Sequence, residues 1–143
     1  MTTALERRLY TAVATATSGR EGRVQSDDGA LDLQVRIPKG LGGPGGPGTN
    51  PEQLFAAGYA ACFGSAVSHV ARLKKIEVGA VQITAQVAIG PAGAQGFGLA
   101  VELVATVPGV TREQAEALVA EAHRVCPYSN ATRGNIAVDL RVA

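Results

Sequence analysis

The 143-residue sequence contains no tryptophan, and only 4% of its residues are aromatic. The core must therefore come from valine, leucine, isoleucine and the many alanines, which favours closely packed elements over bulky aromatic anchors. The chain also lacks an excess of either charge, since its formal net charge is +1. This balance argues against a nucleic-acid-binding surface, so no nucleic-acid partner is expected.

The sequence has little that suggests a membrane or an export signal. No uninterrupted apolar run reaches the roughly 18 residues that cross a bilayer, and the N-terminus lacks the apolar stretch of a signal peptide. We therefore expect no membrane association and a cytoplasmic location, where thiols stay reduced unless they are catalytic or redox-sensing. No linker or internal repeat is visible, so residues 1–143 are expected to form a single domain.

The hydrophobic pattern predicts several strands. Apolar and polar residues alternate with a period of two, as in half-buried strands, in four segments: 31–37, 81–89, 97–107 and 136–142. The turn signal Asp28-Gly29 predicts a hairpin between residues 22–26 and the first of these segments. Residues 9–17 are a weaker strand candidate, and the Gly/Pro-rich residues 40–48 are predicted to form a loop.

Two helices are predicted between the strands. Asn50 as N-cap and Pro51 at the first helical position begin a helix that runs to about Lys74 or Lys75. We interpret one of its faces as buried against a neighbouring backbone, because its residues are mostly small: Leu54, Gly58, Ala61, Cys62, Ser65, His69 and Leu73. A capping box, Thr111 to Gln114, begins the second helix, and Pro127 ends it near Cys126.

These elements follow one another in the order βββ-α-ββ-α-β. Strands in antiparallel groups with two separate helices are typical of an α+β fold rather than of a doubly wound parallel sheet. We therefore expect antiparallel sheets packed around central helices.

The two cysteines, Cys62 and Cys126, carry the only strongly nucleophilic redox chemistry of the chain. A thiol attacks as its thiolate, and an ordinary cysteine with a pKa of about 8.5 is mostly protonated at neutral pH. A reactive Cys62 therefore needs a cation, and Arg20 and Arg133 are the candidates. The alternative is that Cys62 is merely a small buried residue of an alanine-rich helix.

No metal or cofactor is expected from the sequence. The only histidines are His69 and His123, and with the two cysteines they make no closely spaced pair of ligands.

Two long motifs resemble those of the organic hydroperoxide resistance proteins, a thiol peroxidase branch of the osmotically inducible protein C superfamily. They are residues 49–63, which contain Cys62, and residues 125–135, which contain Cys126, and the similarity extends over the chain. The resemblance implies an intertwined homodimeric peroxidase without a cofactor. It also implies that Cys62 attacks the peroxide, that Cys126 resolves the product, and that Arg20 and Glu52 assist.

In such a peroxidase, Cys62 would form a sulfenic acid and then a disulfide with Cys126, which an external dithiol would reduce. The family suggests dihydrolipoamide or lipoylated proteins as that dithiol. Apolar side chains near Cys62 would form a wall that favours alkyl and fatty-acid hydroperoxides: Leu54, Phe55, Tyr59 and Phe63.

Two questions stay open on the sequence alone. Glu52 and Cys62 are about 15 Å apart along a regular helix, so either the helix begins after Glu52 or Arg20 and Glu52 assemble around Cys62 across a dimer interface. The alternatives for the function are a sister-branch peroxidase with a broader peroxide preference and a non-enzymatic binding module with inert cysteines.

Overall fold

The computed structural model describes residues 2–143, which form two compact units that divide between Pro51 and Glu52. The order βββ-α-ββ-α-β and the α+β class are confirmed, with one additional short helix after the second long helix. The assignment of residues 1–143 to one peroxidase domain stays a prediction.

The first unit contains a three-stranded antiparallel sheet in the order β1-β2-β3. Its strands are β1 (Ala14–Thr17), β2 (Arg23–Ser26) and β3 (Asp32–Gln34), so the first is shorter than residues 9–17. All side chains of β3 are exposed, contrary to the expected half-buried strand. Among the described residues 2–51, Val35 is the one buried apolar side chain. This small sheet therefore lacks a hydrophobic core within its own unit.

In the second unit, helix α1 (Pro51–Leu73) begins at the predicted residue and ends close to the predicted one. Lys75 has a φ of 56°, in the left-handed region. The Ile76 N–H donates to the carbonyl oxygen of Ala71 at 2.9 Å, and the Lys75 N–H donates to that of Arg72 at 3.1 Å. These two bonds form a Schellman motif, which explains why the helix stops here without a glycine.

The prediction of which face of α1 is buried is wrong. Ala61, Ser65 and His69 are exposed, whereas the helix buries its large and β-branched side chains together with two alanines: Tyr59, Phe63, Ala66, Val67, Val70 and Ala71. The larger apolar side chains remove more surface from water, so they determine which face of the helix turns inward. The stripe of small residues is left on the outer face of this chain.

The remaining elements form a second sheet with helices packed on it. They are β4 (Gln82–Pro91), β5 (Phe97–Thr106), α2 (Arg112–Val125), α3 (Pro127–Thr132) and β6 (Val138–Val142). Strands β4 and β5 pair antiparallel, but β6 pairs parallel to β5, unlike the expected antiparallel arrangement. Helices α2 and α3 supply the crossover that a parallel pair requires. Side chains of α1, β5 and α2 form the hydrophobic core of this unit.

The capping box at the start of α2 is confirmed. The Thr111 side chain accepts from the Gln114 N–H at 3.1 Å, and the Gln114 side chain accepts from the Thr111 N–H at 3.0 Å. At the same end, Arg112 donates to the carbonyl oxygens of Val142 and Ala143 at 3.1 and 3.2 Å. The start of α2 is therefore fixed to the end of β6.

By length and composition, α1 is the one helix in the described part of the chain that would be able to cross a membrane. The core helix of a globular protein passes the same test, and α1 contributes two aromatic rings, Tyr59 and Phe63, to the core. The absence of membrane association therefore stays a prediction.

Candidate active site

The two thiols meet in the second unit, as expected. The Sγ atoms of Cys62 and Cys126 lie 3.6 Å apart, and both cysteines are free. Cys62 is half-buried on α1, and Cys126 is fully buried. Because α1 is separated from the α2–α3 corner by the whole β4–β5 hairpin, only tertiary folding brings these sulfurs together.

Cys126 occupies the corner between α2 and α3. Its N–H donates to the carbonyl oxygen of Ala122 and closes α2, while its own carbonyl oxygen accepts from the Asn130 N–H, both at 2.9 Å. Its φ and ψ of −65° and 125° are extended, which is the conformation favoured before Pro127. The Cys-Pro sequence therefore ends one helix and begins the next with the thiol at the bend.

The surroundings of Cys62 oppose ionisation. Burial is the largest cause and raises the pKa of the Cys62 thiol, and the neighbouring Cys126 thiol raises it further. The backbone N–H of Tyr128 donates a hydrogen bond to the Cys62 sulfur and lowers this pKa in part. A reactive thiolate at this position therefore requires an additional positive charge.

Arg133, one of the two candidate cations, contacts the end of α2. Its Nη1 donates to the Asn130 Oδ1 at 2.7 Å, and its Nη2 donates to the carbonyl oxygen of His123. Its charge lowers the pKa of His123, which burial lowers more strongly. These contacts assign Arg133 a role in joining α2 to α3.

Arg20 lies in the first unit, in a short 3-10 turn at Gly19–Glu21, and its side chain is half-buried. A Cβ at Gly22 would lie 1.7 Å from the carbonyl oxygen of Thr17, so only glycine permits this close return of the chain. The Glu21 carboxylate accepts from the Ile37 N–H at 3.4 Å and links the turn to the chain after β3. The turn is thus a defined structure that presents Arg20.

Glu52 lies in the first turn of α1 and is half-buried. Because α1 is continuous from Pro51, the idea that the helix begins after Glu52 is wrong. The separation of about 15 Å between Glu52 and Cys62 along the helix therefore applies.

The aromatic side chains are arranged differently from the predicted apolar wall. Tyr59 and Phe63 are fully buried in the core and are not available as a wall. A cavity of about 410 Å³ instead has a mostly apolar lining that includes Phe55 but not Leu54: Phe55, Leu99, Tyr128, Ala131, Thr132, Asn135 and Ile136. Tyr128 connects this cavity to the thiols, because its backbone N–H binds the Cys62 sulfur.

A hydrogen-bonded group of side chains beside the thiols was not predicted from the sequence. The Tyr59 hydroxyl lies 2.8 Å from Ser129 Oγ and 3.2 Å from Thr132 Oγ1, and Ser129 Oγ lies 2.8 Å from His123 Nδ1. Ser129 and Thr132 are both buried. The only sequence signal was polar residues at buried-face spacing after Cys126, which a pattern cannot distinguish from a surface turn. Within residues 2–143, no cluster of three or more His, Cys, Asp or Glu residues suits a metal ion.

Comparison with known proteins identifies many relatives. The family model of the OsmC-like proteins matches residues 43–141. An organic hydroperoxide resistance protein of Xanthomonas axonopodis pv. citri is 57% identical over 139 residues, which are 96% of this chain and 97% of the relative.

Solved structures are similar over the same extent. The crystal structure of an organic hydroperoxide resistance protein from Legionella pneumophila is 52% identical with a TM-score of 0.92, covering 96% of this chain and 99% of that one. The corresponding protein from Elizabethkingia anophelis, crystallised with thiocyanate bound, is 57% identical with a TM-score of 0.91, covering 96% and 98%.

Proposed function

The chain belongs to the OsmC-like family as an organic hydroperoxide resistance protein, and from this membership we propose that it is a thiol peroxidase that reduces organic hydroperoxides to alcohols. The observation that carries the proposal is the 3.6 Å separation of the Cys62 and Cys126 sulfurs. Two free thiols at this distance need a movement of less than about 2 Å to reach disulfide bonding distance.

The proposed reaction uses both thiols in turn. The Cys62 thiolate attacks the outer oxygen of ROOH, the O–O bond breaks, and the alkoxide takes up a proton and leaves as the alcohol. Cys62 is then a sulfenic acid, which the Cys126 thiol attacks; an S–S bond forms and water leaves. An external dithiol reduces the disulfide to two thiols and is itself oxidised. The family resemblance favours dihydrolipoamide or a lipoylated protein as this reductant.

Arg20 and Glu52 are proposed to activate Cys62. Burial raises the pKa of the Cys62 thiol, so a guanidinium beside the sulfur would stabilise the thiolate and also bind the peroxide oxygens. Glu52 would orient that guanidinium by a bidentate contact. Because α1 is continuous through both Glu52 and Cys62, we favour an arrangement in which a second copy of the chain contributes to each site.

Replacing Arg20 with alanine is expected to slow peroxide attack at pH 7 on the order of 10- to 100-fold. Loss of the cation raises the pKa of Cys62, so the thiolate fraction falls and recovers only at higher pH. The rate of peroxide consumption in a single turnover, measured from pH 5 to 10, should therefore rise to its plateau at a higher pH than in the parent protein. Arg23→Ala is the matched control, since Arg23 pairs with Asp32 at 2.6 Å. Equal profiles for the Arg20 variant and the parent would remove Arg20 from the mechanism.

The shape of the cavity supports an organic rather than an inorganic peroxide. Its apolar lining adjoins Tyr128, whose N–H binds the Cys62 sulfur. An alkyl or fatty-acid tail would gain about 25 cal/mol for each Å² of apolar surface that it buries there, whereas hydrogen peroxide has no such group. The tail is therefore proposed to occupy this cavity while its peroxide group reaches Cys62.

A homodimer is proposed on the evidence of exposed apolar surface. In the first unit Leu9 and Tyr10 are 84% and 82% exposed, and in the second unit Phe97 is 74% exposed. Of residues 2–51, Val35 alone is buried, so the sheet of the first unit needs a further surface to cover it. A second copy supplies that surface under the intertwined arrangement that the family implies. Sedimentation equilibrium is expected to give twice the chain mass, and a monomer at micromolar concentration would contradict the proposal.

The experiment that tests the function counts thiols. The reduced protein is expected to lose both thiols rapidly after one equivalent of cumene hydroperoxide and to recover both with dihydrolipoamide. A sister-branch enzyme of broader preference would lose them equally fast with hydrogen peroxide. A binding module with inert cysteines would keep both thiols with either peroxide, and this result would reject the proposal. The cytoplasmic location is proposed on the same grounds, because the dithiol cycle needs a reducing compartment.

A further inference from the structure

The corner that carries Cys126 is joined to α1 by four side chains, which we name the hydroxyl chain: His123, Ser129, Tyr59 and Thr132. His123 is three residues before Cys126, and Ser129 is three residues after it. Tyr59 projects from α1 one turn before Cys62. The hydrogen bonds at 2.8, 2.8 and 3.2 Å therefore connect both sides of the Cys126 bend to the part of α1 that leads to Cys62.

Counting hydrogens gives this chain a direction. Each hydroxyl donates one hydrogen. The Thr132 hydroxyl donates to backbone carbonyl oxygens, with that of Tyr128 at 3.0 Å and that of Ser129 at 3.2 Å, so with its hydrogen there it is an acceptor toward Tyr59. Tyr59 then donates to Thr132 and accepts from Ser129. Ser129 has used its hydrogen, so His123 must donate to it from Nδ1.

The opposite order, in which Thr132 donates to Tyr59 and Ser129 donates to an unprotonated His123 Nδ1, would give up the bonds from Thr132 to the carbonyl oxygens. The structure therefore favours the His123 tautomer with its hydrogen on Nδ1. No buried side-chain nitrogen or oxygen among the described residues lacks a hydrogen-bond partner, whichever way the chain runs. Burial and the Arg133 charge lower the pKa of His123 and favour a neutral ring. In the order given above, Nε2 carries no hydrogen. Hydrogen bonds that run in one direction polarise and strengthen each other.

The hydroxyl chain ends beside the reacting sulfur. Its last acceptors are the carbonyl oxygens of Tyr128 and Ser129, and the N–H of Tyr128 donates to Cys62. Gly58, which precedes Tyr59, has no side chain, and a Cβ there would lie 2.7 Å from the Tyr128 hydroxyl. Helix α3 is therefore held against α1 both by hydrogen bonds and by a close contact over a glycine.

We propose that Tyr59, Ser129 and His123 are positioning residues that hold the Cys126 thiol at closing distance from Cys62 and so accelerate disulfide formation after peroxide attack. The inference deepens the proposed function and rests on it for its role in turnover. Helix α3 has only six residues, and so short a helix is not stable by itself. Its position depends on these contacts, and the position of Cys126 depends on α3. Peroxide attack at Cys62 does not need the chain, because Cys62 is held by α1.

Tyr59→Phe tests this proposal because it keeps the ring and removes only the hydroxyl. In this variant the hydrogen bond between His123 and Ser129 remains, and so does the bond from Thr132 to the Tyr128 carbonyl oxygen. In a single turnover with cumene hydroperoxide, peroxide consumption should stay within about twofold, whereas loss of the second thiol should slow roughly tenfold. More sulfenic acid should be trapped by dimedone. Thr84→Val is the control, since it also removes one hydroxyl group but at an exposed position of β4.

A second measurement uses no peroxide. In redox buffers of reduced and oxidised dithiothreitol, the disulfide of Tyr59→Phe should form about tenfold less readily at equilibrium, because the thiols have a lower effective concentration. If the parent protein is inert to hydroperoxide, the proposed function fails, but this equilibrium still tests the hydroxyl chain. The inference would be overturned if the Tyr59→Phe protein melted at a lower temperature but kept the parent's redox equilibrium with dithiothreitol and the parent's rate of disulfide formation.

His123→Ala removes only the first donor and serves if Tyr59→Phe does not fold. It should slow formation of the Cys62–Cys126 disulfide and make this disulfide less favourable in dithiothreitol buffers, each by roughly threefold. Nitrogen-15 NMR of the parent provides a readout that a purely structural role would not predict: His123 should carry its hydrogen on Nδ1 at neutral pH. A spectrum of the Nε2–H tautomer would overturn the direction of the hydroxyl chain. A rate of disulfide formation and a redox equilibrium that are unchanged in His123→Ala would overturn the positioning role of His123.

Discussion

Replacing Cys62 with serine is expected to abolish turnover of organic hydroperoxides, by on the order of a thousandfold or more. A serine hydroxyl is not ionised at neutral pH and does not form a stable oxidised intermediate comparable to a sulfenic acid. Serine is also close in size to cysteine, and Cys62 is only half-buried, so the fold should be retained. The measurement is steady-state consumption of cumene hydroperoxide with dihydrolipoamide as reductant.

The control for this prediction is Arg72→Ala, an exposed position in the last turn of α1 that lies outside the stripe of small residues. It should leave activity unchanged and show that substitution on this helix is not harmful by itself. The Cys62→Ser protein should still present one thiol, that of Cys126, after unfolding. Steady activity equal to that of the parent in Cys62→Ser would exclude the thiol mechanism, whatever the distance between the sulfurs.

Local sequence signals predicted the elements that local interactions stabilise. The capping box at Thr111 and the start of α1 at Pro51 depend on residues within one turn, so both were found at the expected positions. Helix α3 was missed because six residues after Pro127 are too few to display a helical period. The parallel direction of β6 was missed because alternation marks which residues face inward, but not which way a strand runs.

The candidate site was predicted in part for a similar reason. The convergence of Cys62 and Cys126 was expected from two specific motifs and is confirmed by the sulfur separation of 3.6 Å. Tyr59 was expected to form part of an apolar wall. An aromatic residue within an apolar helix gives no sign that its hydroxyl has hydrogen-bond partners on another element. Its partners at positions 129 and 132 are determined by tertiary packing, which the sequence pattern does not encode.

The exposed stripe of α1 illustrates a further limit. Small residues were interpreted as the buried face because they permit close approach of a neighbour, yet the single chain buries Tyr59 and Phe63 instead. Both observations are consistent if the neighbour is a second copy of the chain. A periodic pattern reports that a face is suited to packing, but it does not say whether the partner belongs to the same chain.

Replacing Cys126 with serine is expected to separate peroxide attack from its resolution. Because Cys62 remains, the first equivalent of cumene hydroperoxide should be consumed at nearly the parent rate. The sulfenic acid then has no neighbouring thiol, and turnover with an external dithiol should slow on the order of a hundredfold, since a thiol from solution replaces one held at 3.6 Å. Without reductant, excess peroxide should oxidise Cys62 onward to sulfinic acid.

Mass spectrometry of the Cys126→Ser protein provides the measurement, as two added oxygen atoms on the peptide that contains Cys62. The Tyr59→Phe protein is an informative comparison: it keeps both thiols but closes slowly, so at equal peroxide it should be over-oxidised less than Cys126→Ser and more than the parent. This ranking follows from a competition at the Cys62 sulfenic acid between a second peroxide and the Cys126 thiol. If Cys126→Ser turned over as fast as the parent and resisted over-oxidation, the sulfur beside Cys62 would have no part in resolution, and the proximity of the two thiols would be a feature of packing alone.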